Sequence, residues 1–382
     1  MIVLKGSVEA TGARPIFPRV EQKRFWMPTP LVIFVPGIMG SILRYTGPGE
    51  GGALVEQDVW GTDPGVIIDT LARWPNRLRS PNLRATKVLS RIKGKVWGKS
   101  VDMTFYGPLL EFCVEKTEKG GLGLDRETEF VAFAYDWRLD NRETAKRLAI
   151  RIEQADPQHL RPIGLIAHSM GGLVSRLMLL DQPTISSRTR FFVQIASPIL
   201  GAAKAFYSLR EGPCLSPLAD FLVKLKQHKD LQVRADLMSV LREFPSMYQL
   251  LPPDGVPVLF TSTGKLLPAM AVEAWPGNDQ VHLEAAREMH QALEKPLPVP
   301  INCVYANDHE TPWCYKVDSE FRVVASLKAE VGDGTVTSAS AFEGSEVARR
   351  CCLTGENTAH DELPCNPEVE KILRPLVEGL RA

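Results

Sequence analysis

Three residues carry the chemistry that this sequence suggests: Ser169, Asp333 and His360. Ser169 lies in Ile163-Gly-Leu-Ile-Ala-His-Ser-Met-Gly-Gly-Leu-Val-Ser-Arg-Leu177, where an apolar run gives way to a helical pattern within a few residues. A turn that sharp from strand to helix forces the serine into a strained backbone and leaves its hydroxyl exposed. Crowding at the junction admits only small residues two places to either side. Gly171 and Ala167 meet that condition, Ala167 standing where glycine is commoner. The pattern is a nucleophile elbow. A phosphate-binding turn would carry more glycine ahead of the serine.

A serine hydroxyl is a weak nucleophile near neutral pH and needs a histidine base held by a carboxylate. His168 is fixed beside the serine and points elsewhere, and His282 and His290 fall within a helical pattern. His360, in Asn357-Thr-Ala-His-Asp361 beyond the last apolar strand, is the expected base. Asp333 is the expected acid, in Gly332-Asp-Gly-Thr-Val336 between the last two core strands, with Asp308 as the alternative. Asp361 is too near His360 in the chain. The glycine-rich loop Pro36-Gly-Ile-Met-Gly-Ser41 follows the buried strand Leu31–Val35. Backbone N–H groups of Ile38 and Met170 are therefore expected to face a developing oxyanion, each contributing roughly 3 kcal/mol.

The elements that must position these residues alternate. Apolar strands at 31–35, 129–135, 163–167, 191–196, 299–305 and 347–354 are interleaved with helical patterns at 105–118, 141–154, 279–293 and from Asn366-Pro367 onward. Asp140 or Asn141 is expected to cap the second of these helices and Asp279 the third. Such alternation implies an α/β fold, a mostly parallel, doubly wound sheet with helices on both faces. Phe321–Leu327 reads as a half-exposed strand. Two stretches break the rhythm: residues 42–104 read as an inserted lid or cap rather than core, and residues 199–255 as a helical cap, with helices near 218–229 and 236–244. Caps of this kind bind the apolar part of a substrate and exclude water.

The chain has 382 residues, enough for one large domain spanning 1–382, with 45 basic and 45 acidic side chains. Zero net charge argues against a nucleic-acid partner. No run approaches the ~18 apolar residues of a transmembrane helix, and the N-terminus lacks a secretory pattern. Seven scattered cysteines form neither a disulfide framework nor a metal spacing, so reduced thiols, a cytoplasmic location and no cofactor are expected. Nine basic residues and no acid lie between Arg73 and Lys99, with Trp60, Trp74 and Trp97 alongside. Residues 60–100 read as a solvated face or as a peripheral contact with anionic lipid. Trp97-Gly-Lys-Ser100 lacks the spacing and leading strand of a P-loop.

Several stretches together resemble the lecithin:cholesterol acyltransferase family of α/β-hydrolases. They are Phe34-Val-Pro-Gly-Ile-Met-Gly-Ser41, Ala134-Tyr-Asp-Trp-Arg-Leu139, Ala167-His-Ser-Met-Gly-Gly172, Ala196-Ser-Pro-Ile-Leu-Gly201, Ser246-Met-Tyr-Gln-Leu-Leu-Pro252, Val304-Tyr-Ala306 with Thr311-Pro312, Gly332-Asp-Gly-Thr-Val336 and His360. The resemblance implies an α/β-hydrolase fold with helical cap insertions and acyl-ester chemistry on lipids, as phospholipase A activity or acyl transfer to an alcohol. Ala167 departs from the usual glycine, and residues 42–104 contain no cysteine for the disulfide-bounded lid of secreted members. The expected function is a serine acyl-ester hydrolase acting on a lipid or other acyl ester. The alternatives are an O-acyltransferase with a dedicated acceptor and a non-catalytic receptor that kept the fold.

Overall fold

The first buried strand, β1 (Leu31–Val35), shows how the molecule is layered. Its side chains alternate: Leu31, Ile33 and Val35 enter one hydrophobic core, and Val32 and Phe34 enter another. A strand buried on both faces needs helices above and below. The structure, a computed structural model, describes residues 29–49, 52–96, 99–212, 231–342 and 347–381.

Five further strands extend this sheet: β2 (Phe130–Ala132), β3 (Ile163–His168), β4 (Thr189–Ile195), β5 (Ile301–Ala306) and β6 (Val347–Leu353). All pair in parallel, in the order β6-β5-β4-β3-β1-β2. The chain therefore leaves β1 toward one edge and returns to build toward the other. Such a switch opens a crevice at the carboxyl ends of the strands, here beside β1 and β3. Helices α1 (Gly107–Val114) and α6 (Pro367–Gly379) cover one face; α2 (Asn141–Ala155), α3 (Met170–Asp181) and α5 (Gln280–Leu293) cover the other. Asp140 caps α2, its carboxylate accepting the Arg142 N–H at 2.7 Å. Asn366 caps α6, its side-chain oxygen accepting the Glu368 N–H at 2.9 Å.

Asp279 does not cap α5. It is turned inward, where it accepts the Tyr248 hydroxyl at 2.6 Å and pairs with Arg242. Two partners from another segment outcompete one local N–H, because a buried carboxylate must be satisfied by the strongest donors in reach.

Residues 42–104 contribute to the core, contrary to the expectation from their composition. They form a three-stranded antiparallel sheet (Leu54–Trp60, Ser41–Pro48, Leu83–Val88), a short helix (Pro64–Ala72) and a hairpin (Arg91–Val96 with Lys99–Thr104). Leu43, Val59, Trp60, Ile67, Leu78, Leu89 and Ile92 join the larger hydrophobic cluster. Trp60 is buried, its indole N–H donating to the Met39 carbonyl at 2.8 Å and its ring edge-on to Trp137 at 5.5 Å. It is thereby removed from the expected membrane contact. Trp74 is 56% exposed, and Trp97 lies outside the described residues.

In the second inserted stretch, the expected helix near 218–229 lies outside the described residues. The helix expected near 236–244 is α4 (Leu231–Leu241), whose Leu237, Val240 and Leu241 are buried. The strand expected at 321–327 runs from Val323 to Gly332 in a mixed sheet with Leu266–Pro268, Pro257–Thr261 and His309–Val317. Among the described residues every cysteine is a free thiol, and no helix is long and apolar enough to cross a membrane.

Candidate active site

Ser169 adopts φ 53° and ψ −127°, left-handed backbone that costs a non-glycine residue roughly 1–3 kcal/mol. The strain follows from joining the end of β3 directly to α3. Its neighbours show why small residues are required. A Cβ on Gly171 would lie 2.4 Å from the Val35 carbonyl oxygen, and one on Gly172 would lie 1.9 Å from Ser197 Oγ. Ala167 is fully buried and tolerated.

The loops after the late strands bring the other two expected residues to this serine. His360 Nε2 is 2.9 Å from Ser169 Oγ, and His360 Nδ1 is 2.7 Å from Asp333 Oδ2. The other Asp333 oxygen accepts the backbone N–H groups of Thr335 at 2.9 Å and Val336 at 2.7 Å. A carboxylate held by two N–H groups can only accept from the imidazole, so Nδ1 carries the proton and Nε2 is free to accept one from serine. The backbone repeats the pairing, with the His360 N–H donating to the Asp333 carbonyl at 2.9 Å. Burial pulls the His360 pKa down, but the Asp333 charge and hydrogen bond outweigh it and hold the pKa above its ordinary 6.5. All three side chains are buried.

Asp308, the alternative acid, makes other contacts. One of its oxygens accepts the Gly355 N–H at 2.6 Å, and the other lies 3.2 Å from the Thr358 hydroxyl. It ties down the loop that presents His360. The Asp333 turn is held in a similar way, Thr311 Oγ1 accepting the Gly334 N–H at 2.9 Å.

The loop after β1 lies against the serine. A Cβ on Gly37 would come within 2.9 Å of Ser169 Cβ. Met39 has φ 61°, and the Gly40 N–H closes a turn onto the Gly37 carbonyl at 3.1 Å. No acceptor among the described residues takes the N–H of Ile38 or of Met170, the first residue of α3. Helix starts leave such donors open for an anion. The Ala134–Leu139 motif braces this loop: the Tyr135 hydroxyl donates to the Pro36 carbonyl at 2.8 Å, and the Tyr135 N–H donates to Ser41 Oγ at 3.1 Å. The buried Asp136–Arg138 pair reaches the carbonyls of Leu78 and Ser80, while Ser246 Oγ donates to the Trp137 carbonyl at 2.6 Å. One motif thus ties the β1 loop to both inserted stretches.

Tyr106 escaped the sequence reading, and so did the partners of His168. Tyr106 opens α1 and sends its hydroxyl to His168 Nδ1 at 2.7 Å, and His168 Nε2 meets the His360 carbonyl at 3.0 Å. His168 does point away from the serine oxygen, as expected, but toward the backbone of His360. Nothing local marks Tyr106; only its isolation as a polar tip among apolar neighbours hints at a buried partner. Among the described residues no group of His, Cys, Asp and Glu is arranged to hold a metal.

The chain is similar in structure to the solved Tle4–Tli4 complex, with TM-score 0.57 and 14% identity over 93% of this chain and 98% of that one. Weaker likenesses include the mature lipase BlEst2 of Bacillus licheniformis (TM-score 0.36, 11% identity, 91% and 92% covered) and the carboxylesterase CesB of Bacillus subtilis (TM-score 0.34, 12% identity, 92% and 85% covered). No curated protein sequence matches. The fold is that of the α/β-hydrolases. Residues 79–288, more than half of the chain and including the elbow, match the lecithin:cholesterol acyltransferase family, and the chain belongs to that family.

Proposed function

We propose that the protein is a serine acyl-ester hydrolase that works on lipid esters through an acyl-enzyme. The observation that carries this reading is the unbroken hydrogen-bond chain from Ser169 Oγ through His360 to Asp333, at 2.9 and 2.7 Å. Ser169 Oγ attacks the ester carbonyl carbon while His360 Nε2 takes its proton. The carbonyl oxygen becomes an oxyanion held by the N–H groups of Ile38 and Met170. The tetrahedral intermediate collapses as His360 returns the proton to the departing alcohol. Water, deprotonated by His360, then attacks the acyl-serine and releases the carboxylic acid; an alcohol entering in its place yields a new ester. Family membership supports the lipid substrate, and it keeps acyl transfer to an alcohol as the second reading. A peripheral contact with anionic lipid through residues 60–100 is supported by the exposed Trp74, with Arg77 stacked 5.6 Å from its ring, and by exposed Arg84, Lys87, Lys93 and Lys95. The test is product analysis: purified protein given phospholipid vesicles, with and without a short-chain alcohol. Free fatty acid from vesicles alone supports hydrolysis, and ester formed only when alcohol is present supports the transferase. Products equal to those of Ser169→Ala would refute both.

A further inference from the structure

The proposed reaction leaves two buried polar groups unused, Tyr106 and His168, 4% and 3% exposed. Their donors and acceptors can be assigned completely. The His360 carbonyl only accepts, so His168 Nε2 carries a proton and donates to it at 3.0 Å. Nδ1 must then accept, so the Tyr106 O–H donates to it at 2.7 Å. The Tyr106 oxygen in turn accepts the Gly37 N–H at 2.9 Å. Burial first, and the neighbouring His360 second, hold the His168 pKa well below 6.5, which keeps the ring neutral, as this assignment requires.

Three stretches distant in sequence meet in this chain of bonds. Gly37 precedes Ile38 in the proposed oxyanion loop, His168 precedes Ser169, and His360 is the proposed base. The packing leaves no slack. A Cβ on Gly37 would lie 2.9 Å from Ser169 Cβ, 3.2 Å from His168 Nδ1 and 3.3 Å from the Tyr106 hydroxyl. The His168 and His360 rings are 4.8 Å apart, and the Tyr106 ring packs edge-on against Phe34 at 4.9 Å. We propose that Tyr106 and His168 are positioning residues: one hydrogen-bonded unit that sets the oxyanion loop and the base in register with the nucleophile. The inference rests on the serine-hydrolase reading and adds a structural requirement to it. A buried pair that merely satisfied its own polar atoms would have no reason to end on the backbone of both catalytic loops.

A double-mutant cycle on the purified full chain tests this. Tyr106→Phe keeps the ring and removes the hydroxyl; His168→Leu removes both ring nitrogens. Steady-state hydrolysis of a soluble p-nitrophenyl ester is measured for the parent, both single variants and the double variant, with near-ultraviolet circular dichroism to establish folding. Should His168→Leu not fold, His168→Gln replaces it in the cycle. Misplacing catalytic groups by about 1 Å costs about 100-fold, so Tyr106→Phe should lose at least about tenfold in kcat, with KM within about twofold. Residues acting as one unit are non-additive, so the double variant should lose no more than the worse single variant. A folded Tyr106→Phe with unchanged kcat, or losses that multiply in the double variant, would overturn the inference while leaving the esterase reading intact. A parent protein with no turnover and no fluorophosphonate label on Ser169 would overturn both.

Discussion

The two halves of the site are built by different means. The nucleophile half, β1 with its loop and β3 with α3, is fixed by packing: every residue from Ile163 to Leu179 is buried, and Gly171 and Gly172 fit against Val35, Pro36 and Ser197 with no room for a methyl group. The base half hangs on loops whose shape depends on individual hydrogen bonds. Asp308 holds Gly355 near His360, Thr311 holds Gly334 beside Asp333, and Asp333 holds Thr335 and Val336. Strain at Ser169 is sustained by a rigid scaffold, whereas proton transfer needs groups whose charge and orientation single contacts can tune. Substitutions at the packing glycines of the first half should therefore act mainly on stability, and those of the loop contacts in the second mainly on rate.

The largest effect is expected at the charge behind the base. Asp333→Asn removes the two larger influences that raise the His360 pKa and leaves only the weaker Asp361 charge against burial and Lys204, which lower it. In the parent, His360 must be neutral to act, so kcat/KM should rise with pH through a midpoint above 6.5. In Asp333→Asn the midpoint should fall, and kcat should drop about 10⁴-fold because the wrong tautomer faces the serine. The same pairing gives stability that is complete below pH 6.5 and fades as pH rises through the raised value. A pH–rate profile paired with melting curves reads both.

A smaller effect separates Asp308 from Asp333. Asp308→Ala loosens the loop carrying His360, so kcat should fall about tenfold with the midpoint unmoved. A midpoint displaced downward in Asp308→Ala, and not in Asp333→Asn, would exchange the roles of the two carboxylates.

The smallest effect on rate belongs to the packed half. Gly172→Ala drives a methyl group into Ser197 and should cost about 1–3 kcal/mol in denaturant unfolding, with kcat in the surviving folded protein little changed. Ser197→Gly removes the obstructing side chain and should restore much of the loss when combined with it. No rescue would mean that the crowding at Gly172 comes from backbone, as it does at Gly171.

The same division governs what could be read in the sequence. The elbow was legible because a strand, a strained serine, a helix start and small flanking residues are all local requirements. The meeting of Ser169, Asp333 and His360 was legible because the topology fixes which loops reach the carboxyl edge of the sheet. Features set by distant partners were not. Trp60 stands near a basic run and read as a surface anchor, yet Met39 and Trp137 enclose it. Asp279 precedes a helix and read as its cap, yet Tyr248 and Arg242 claim its carboxylate. Tyr106 carried no local signal for its role, since its partners Gly37 and His168 come from other strands' ends.

The central claim is that Ser169 is a nucleophile activated by His360. Fluorophosphonate labelling of the purified protein, with the modified residue located by mass spectrometry, tests it most directly. The account predicts one label on Ser169, lost in Ser169→Ala and in a folded His360→Ala. An unlabelled Ser169 in the folded protein, with detergent and lipid vesicles also supplied, would contradict it, as would labelling that persists without His360.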